Sequence, residues 1–156
     1  MRAIAATILI VLVAACSAAD APSGSSADRA NYQVAVCGAL RSLAGNQEDF
    51  KSFLSGSSTY EEAVAALVRV QQRTSAAVDR LEASGSWAPG RASSEQLAAN
   101  QRELLSILAD FESFTQTGIE ADWQAARSRY EAWYTAAVPW LKEVRASLAA
   151  LGVTCA

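Results

Sequence analysis

Apolar residues recur at steps of three and four along most of the chain after residue 28. This spacing places apolar side chains on one face of an α-helix. Glycine and proline fall mainly between the periodic segments, as is typical of helix ends. We therefore predict helices over about 28–44, 47–54, 60–84, 94–117 and 119–151. Four long helices joined by short turns predict an all-α protein, an antiparallel four-helix bundle in which 47–54 is a short extra piece.

Particular residues mark the ends and faces of these helices. Gly45 is predicted to end the first helix, and Thr59 with Glu62 and Ser93 with Gln96 fit the capping box that begins a helix. The predicted core positions are Val34, Cys37, Leu40 and Ala44 in the first long helix, Tyr60, Val64, Leu67, Gln71, Thr74, Val78 and Leu81 in the second, Leu97, Gln101, Leu104, Leu108 and Phe111 in the third, and Trp123, Ala126, Tyr130, Trp133, Ala137, Trp140, Val144, Leu148 and Leu151 in the last.

Two of the long helices carry polar residues inside an apolar face, and the last contains a proline. Thr74 and Gln101 lie at similar depth on neighbouring antiparallel helices, so we predict a buried hydrogen-bonded pair that fixes their register. A polar ligand site is the alternative interpretation. Pro139 removes a helical hydrogen bond and crowds the preceding turn, which predicts a kinked last helix with a bend or break near 134–139.

The first fifteen residues differ from the rest. After Met1 and Arg2, an apolar run covers 3–15, which is shorter than the roughly 20 residues that span a bilayer. A cleaved signal peptide is therefore predicted. The run ends in Val-Ala-Ala-Cys, with the cysteine at position 16. This ending resembles the lipobox of bacterial lipoproteins.

The resemblance implies that Cys16 is acylated, becomes the first residue of the mature protein and anchors it at the extracytoplasmic face of the cell membrane. Ordinary secretion, with cleavage after Ala15 or Ala19, is the alternative. Residues 16–27 are small and polar and predict a lipidated flexible tether. Residues 28–156 then form the helical domain.

Charge and cysteine content limit the possible functions. Removing Arg2 from the 13 basic residues leaves 12 against 16 acidic ones, a net charge of −4 with no basic cluster, so nucleic-acid binding is not expected. Outside the cytoplasm two thiols in one small domain usually pair. An antiparallel bundle of four helices brings the end of the last helix beside the start of the first. We therefore predict a structural disulfide between Cys37 and Cys155. A redox pair, usually a close Cys-x-x-Cys, is the alternative.

Few residues suggest catalysis. The chain has no histidine, and its single methionine is the first residue, so histidine-based zinc, haem and di-iron sites are not expected. No phosphate-binding glycine loop or nucleophile elbow occurs. Acidic pairs lie at helix starts, where the helix dipole favours negative charge. We expect no enzyme activity, no metal and no cofactor.

Aromatic residues are the remaining candidates for a ligand or partner contact. Most lie in the last helix, where they either fill the core beside alanine-rich helices or line a groove for an apolar ligand or partner segment. Trp87 lies in a polar turn and is either tucked under the bundle or exposed as a contact point. The candidate residues are Trp87, Trp123, Tyr130, Trp133, Tyr134 and Trp140.

These features together lead to one expected function and one alternative. The expected protein is a membrane-anchored, extracytoplasmic, non-enzymatic module that interacts with another envelope protein. The alternative is a carrier or sensor of a small apolar ligand bound between the helices. A carrier needs a cavity of about 300 Å³ or more, whereas an interaction module needs an exposed apolar patch of several hundred Å².

Overall fold

The computed structural model describes residues 24–54, 59–85 and 87–155. Across these ranges the chain forms four α-helices and no strand. They are α1 (Ser26–Leu54), α2 (Tyr60–Ala83), α3 (Arg91–Thr117) and α4 (Glu120–Ala150). Each helix packs along the next one in the sequence. The predicted four-helix bundle is confirmed. The predicted signal segment, Cys16 and all of the predicted tether before residue 24 lie outside the described residues.

The first helix is longer than predicted because Gly45 does not end it. α1 continues to Leu54 and includes the predicted short piece 47–54. A Cβ added at Gly45 would lie 2.9 Å from Nη1 of Arg73. Arg73 donates hydrogen bonds to Asn46 Oδ1 (3.0 Å) and Asp49 Oδ2 (2.9 Å). The prediction was wrong because the missing side chain of Gly45 makes room for a guanidinium group from α2.

Of the two predicted N-terminal caps, the one at α2 is present and the one at α3 is absent. At α2 the Glu62 backbone N–H donates to Thr59 Oγ1 (3.3 Å), and the Thr59 backbone N–H donates to the Glu62 carboxylate (2.8 Å), so the predicted capping box is confirmed. The predicted cap at Ser93 is wrong. α3 follows directly from a 3₁₀ turn over Ala88–Gly90, and Ser93 is buried inside its first turn.

Three predicted core positions, Val34, Ala44 and Tyr60, lie at the surface instead. Val34 is 66% exposed and Tyr60 is 64% exposed. The buried stripe of α1 consists of Tyr32, Ala35, Val36, Cys37, Ala39, Ser42, Asn46, Phe50 and Phe53, and of the predicted positions in this helix only Cys37 belongs to it. The helical periodicity of α1 was predicted correctly, but its buried side was assigned wrongly. α1 packs mainly against α2 and also contacts α3, and this packing decides which side is buried.

The predicted Thr74–Gln101 pair is also wrong. Thr74 Oγ1 accepts a hydrogen bond from Asn46 Nδ2 (2.9 Å) and donates one to the Val70 carbonyl (2.7 Å). Gln101 is fully buried, and neither Oε1 nor Nε2 has a hydrogen-bond partner within the described chain. The reason is tertiary, because α1 rather than α3 faces Thr74.

The C-terminal segment is held against α1. Gly152 adopts a positive φ of 66°, and Val153 N–H donates to the Leu148 carbonyl (2.9 Å), which reverses the chain after α4. Arg29 Nη2 donates to the carbonyls of Leu151 and Gly152, and Gln33 Nε2 donates to that of Thr154. The predicted Cys37–Cys155 disulfide is confirmed, with a Cα–Cα distance of 5.2 Å.

α4 runs from Glu120 to Ala150 without a break at Pro139. The predicted break is therefore absent, and a bend at that position stays a prediction. Proline inside a helix leaves one carbonyl of the preceding turn without its usual partner. The residues that precede Pro139 on the outer side of α4, Tyr134 and Val138, are partly exposed.

Candidate functional site

Trp87 does not offer a surface for a partner. It is only 3% exposed, and its ring centroid lies 4.8 Å from that of Tyr32. A Cβ added at Gly90 would lie 2.3 Å from the Tyr32 ring and 2.7 Å from Trp87 Cε3, so the two rings close over the glycine. Of the two alternatives for Trp87, the structure has the tucked one. The alternative of an exposed contact at Trp87 is therefore wrong, because Tyr32 and Gly90 enclose the indole.

Trp123 and Tyr130 belong to an aromatic cluster at the end of the bundle opposite Trp87. Trp123 lies 5.2 Å from Phe53 and 5.4 Å from Phe111, measured between ring centroids. Tyr130 stacks on Phe50 at 4.5 Å. Burial raises the pKa of Tyr130 to about 12, and the neighbouring Tyr134 phenol adds to the effect. Edge-to-face and stacked rings stabilise a core beyond their buried area, so this cluster is mainly structural.

Trp133 and Trp140 line a cleft between α3 and α4. The cleft is a wide, open surface depression of about 650 Å³, and most of its lining residues are exposed. Small side chains from both helices leave this space open. The lining residues are Gln96, Ala99, Asn100, Glu103, Arg129, Ala132, Trp133, Ala136, Ala137 and Trp140. Two buried polar atoms on this lining, Asn100 Oδ1 and Trp133 Nε1, have no hydrogen-bond partner within the described chain. The α3–α4 cleft is therefore mainly apolar and aromatic, with a few polar groups.

Trp133 and Ala137 also line a second depression, which lies between α1 and α4. We call it the α1–α4 groove. Its volume is about 110 Å³, and its lining is Leu40, Leu43, Ala44, Asn46, Gln47, Phe50, Leu104, Tyr130, Trp133, Tyr134, Ala137, Val138, Leu141 and Arg145. The backbones of α1 and α4 approach each other far less closely than those of the other neighbouring helices. Large side chains from both helices bridge the gap, and Leu104 of α3 contributes to the floor.

The α1–α4 groove has a polar closure at one end and a cation at the other. Gln47 Nε2 donates a hydrogen bond to the Tyr134 hydroxyl (3.0 Å), which joins α1 to α4. Arg145 lies three helical turns further along α4 and is exposed. Tyr134 and Val138 are 38% and 44% exposed. This groove therefore presents accessible apolar surface.

The ion pairs near the aromatic residues are surface pairs. Arg127 Nε lies 2.9 Å from Glu131 one turn away, and Arg129 pairs with Asp110 and also donates to Ser106 Oγ. Exposed pairs of this kind contribute little to stability. These two arginines are therefore neutralised by neighbours and do not form a free anion site.

The carboxylate with a lowered pKa, Asp49, has a structural role. Burial alone would raise the pKa of Asp49, but hydrogen bonds and positive charge from Arg69 and Arg73 outweigh it and lower that pKa. The distances are 3.1 Å to Arg69 Nη2 and 2.9 Å to Arg73 Nη2. The pair clamps α2 to α1 beside Gly45 and lies outside both depressions.

The described residues contain little that could do covalent chemistry. Among them, no group of three histidine, cysteine, aspartate or glutamate side chains could hold a metal ion. None of the helices in 24–54, 59–85 and 87–155 combines the length and the apolar character needed to cross a bilayer. The side chains that line the two depressions are rings, alkyl groups, amides and a few charged groups.

Comparisons with protein-family models, with curated proteins and with solved structures found no match to this chain.

Sequence reasoning named only the aromatic lining residues of these depressions and missed the polar ones, of which Gln47, Asn100 and Arg145 are examples. All three lie on exposed or half-exposed helix positions, where polar residues are ordinary. The spacing Tyr134, Val138, Leu141, Arg145 is a second helical stripe beside the core stripe, and this signal could have identified the groove side of α4.

Proposed function

We propose that this chain is a lipid-anchored protein of the bacterial cell envelope that binds a small, mainly apolar ligand beside the aromatic residues of α4. It carries or senses this ligand and does not transform it. The observation that carries the proposal is the α3–α4 cleft of about 650 Å³ lined by Trp133 and Trp140. Sites for small molecules start at about 300 Å³ and are mainly apolar, with a few polar groups.

The arrangement around Trp133 supports binding on α4 in particular. Its indole lines the α3–α4 cleft on one side and the α1–α4 groove on the other. Trp133 itself is 8% exposed, so the two depressions are separated by one largely buried ring and by Ala137. A ligand on either side would cover apolar surface without unfolding the core.

The position of the N-terminal segment supports attachment at one end of the bundle. A Cβ added at Gly24 would lie 2.5 Å from Trp87 Cδ1, so the chain enters the fold against the Trp87 end. Cys16, the proposed lipid site, precedes Gly24 by eight residues, which reach at most about 28 Å. The Trp87 end would then lie near the membrane.

A protein-interaction module is the second candidate, and a separate observation favours it. Tyr134 and Val138 lie one turn apart on α4 and are both partly exposed beside the α1–α4 groove. Exposed aromatic and aliphatic residues in a groove are typical of partner contacts. On this hypothesis the partner is another envelope protein.

Binding can be tested on the full-length protein isolated from membranes. Titration with a lipid extract of the envelope should change tryptophan fluorescence. Ala136 is exposed and lines the α3–α4 cleft, so Ala136→Trp should fill the cleft and compete with the ligand. Ala146 is exposed on α4 and lines neither depression, which makes Ala146→Trp the matched control. If tryptophan fluorescence shows no saturable change in the wild-type protein or in either variant, the carrier proposal is contradicted and the interaction module remains.

Lipid anchoring is tested separately with Cys16→Ser. Because acylation requires the cysteine thiol, the variant should leave the membrane fraction or accumulate unprocessed. Mass analysis of the wild-type N-terminus should show acylated Cys16. An unmodified, soluble mature protein that begins at Asp20 would contradict the anchor and support ordinary secretion.

A further inference from the structure

Three residues where α3 meets α4 carry buried polar atoms that have no hydrogen-bond partner within the described chain. The atoms are Asn100 Oδ1, Gln101 Oε1, Gln101 Nε2 and Trp133 Nε1, and we call the site of these three residues the α3–α4 seam. Gln101 is fully buried, and Trp133 is 8% exposed. In native proteins nearly all buried polar groups are paired with protein or with water. Four unpaired atoms in three residues therefore mark the seam as a place that holds a further polar group.

The packing of the core places Gln101 and Trp133 close together along the bundle. Leu97 of α3 packs in the same core cluster as Trp140 of α4. Leu104 of α3 packs in the same cluster as Trp133 of α4. Gln101 lies between the two leucines, so it is level with the stretch of α4 between the two tryptophans, about one helical turn from Trp133.

The α3–α4 cleft spans this level. Its lining includes Asn100, Ala136 and Ala137 together with the two tryptophans. Asn100 is half-exposed, and the alanines have no side chain beyond Cβ. Rotation of the Asn100 side chain therefore opens a short path from the cleft to the buried amide of Gln101. At about 650 Å³ the cleft has room for the apolar body of a small ligand, whose polar end would enter the seam.

The four atoms determine which polar group satisfies them. The indole N–H of Trp133 and the amide N–H of Gln101 are donors, whereas Asn100 Oδ1 and Gln101 Oε1 are acceptors. A primary carboxamide has an oxygen with two lone pairs and an NH2 group with two hydrogens, so it can pair with all four atoms. A carboxylate or a ketone only accepts and leaves both protein oxygens unpaired. A hydroxyl has a single hydrogen and leaves one of them unpaired.

We infer that the α3–α4 seam binds the carboxamide group of a neutral ligand whose apolar body lies in the α3–α4 cleft. This inference rests on the proposed function, since it names the ligand class for the same site. The carboxamide oxygen accepts from Trp133 Nε1 and Gln101 Nε2, and its NH2 group donates to Asn100 Oδ1 and Gln101 Oε1. One water molecule also has two donors and two acceptors, so a buried water is the alternative occupant that the test must separate.

The test uses the full-length chain in phosphatidylcholine nanodiscs and two probes of the same shape. They are 4-butylbenzamide and 4-butylacetophenone, in which a methyl group replaces the NH2 group. Equilibrium dialysis measures binding, and empty nanodiscs correct for partition into the lipid. The amide should bind saturably and about tenfold more tightly than the ketone, because the ketone leaves the two protein oxygens unpaired.

Two variants separate binding from stability. Gln101→Met should remove the preference for the amide and at the same time stabilise the unliganded protein, because no unpaired amide then remains buried. Thr74→Val also replaces a fully buried polar side chain, but the Thr74 hydroxyl is paired with Asn46 and Val70, outside the seam. Thr74→Val should therefore lower stability and leave the preference for the amide unchanged. Binding and stability thus change independently, which a purely structural role of Gln101 would not produce.

Trp133→Phe tests the other side of the seam. It keeps a ring but removes the indole N–H. Both probes have the carbonyl oxygen that this N–H would bond, so both should bind more weakly by a similar factor. Weakening of neither probe would contradict the assigned orientation.

The outcomes separate this inference from the proposed function. Equal binding of amide and ketone, or a preference for the amide that survives Gln101→Met, would overturn the inference and leave a buried water at these atoms. If both probes then still bind and Ala136→Trp abolishes their binding, the proposed function stands without the carboxamide. If neither probe binds, the inference is refuted, and the lipid-extract titration alone decides the proposed function.

Discussion

Replacing Gln101 by methionine should stabilise the protein. Gln101 is fully buried, and its Oε1 and Nε2 atoms have no hydrogen-bond partner within the described chain. Burying a polar group without a partner costs about 1–3 kcal/mol. Methionine has a similar shape and helix propensity, so Gln101→Met removes the cost without opening a cavity. We expect the free energy of unfolding to rise by about 1–3 kcal/mol.

The assay is urea unfolding of the full-length chain followed by circular dichroism, supported by thermal unfolding. For a domain of this size each kcal/mol corresponds to roughly 4 °C in Tm, so Tm should rise by about 4–12 °C. The denaturant dependence of the unfolding free energy should not change, because the area buried on folding is nearly the same.

Thr74→Val provides a control with the opposite sign. Thr74 is also fully buried, but its hydroxyl accepts a hydrogen bond from Asn46 Nδ2 and donates one to the Val70 carbonyl. Removing the hydroxyl leaves Asn46 Nδ2 without its acceptor and should cost about 1–3 kcal/mol. Combining it with Gln101→Met should give additive changes, since the two side chains are not bonded to each other. Destabilisation by Gln101→Met would refute the reasoning. Coupling between the two substitutions would also refute it, and would favour a direct Thr74–Gln101 pair.

Three further predictions concern other parts of the fold. Non-reducing peptide mapping should recover the Cys37 and Cys155 peptides linked, and replacing both by serine should lower stability by up to about 4–5 kcal/mol because the closed loop is long; two freely alkylatable thiols would contradict this. Trp133→Ala should cost about 3–5 kcal/mol because the ring is 8% exposed, whereas the half-buried Trp140 should cost less, and equal losses would argue against the difference in burial. The pKa of Asp49 is lowered in the folded state, so its ion pairs stabilise the fold above the unfolded-state pKa and this stabilisation is lost as pH falls through the folded-state pKa. Asp49→Asn should therefore flatten the acid side of the stability–pH profile. An unchanged slope would argue against the clamp between α1 and α2.

Much of the architecture follows from local rules that the sequence carries by itself. The three-and-four periodicity determines the four helices, and Thr59 with Glu62 determines where α2 begins, because a capping box involves only neighbouring residues. The disulfide was predictable for a different reason. In an antiparallel bundle the end of α4 lies beside the first half of α1, where Cys37 is found, and Cys155 follows α4.

Other features depended on residues far apart in sequence. Glycine is a frequent helix terminator, yet Gly45 lies inside α1 because Arg73 of α2 occupies the space above it. Ser93 has the sequence of a cap but is buried, because the Tyr32 and Trp87 rings pack on Gly90 and draw the 3₁₀ turn into the start of α3. No local pattern contains that information.

The two depressions beside α4 likewise depend partly on the sequence alone and partly on the tertiary structure. The sequence by itself concentrated the aromatic residues in the last helix and so indicated where ligand contacts should be sought. The tertiary structure alone decided that Trp87 is buried, that Trp123 packs against other rings, and that Trp133 lies between a cleft and a groove. The physical reason is that helix periodicity fixes which side chains share a face, whereas the spacing between two helices depends on the volumes of the side chains that meet there. Alanines along α3 and α4 leave the cleft open, and large side chains between α1 and α4 hold the groove apart.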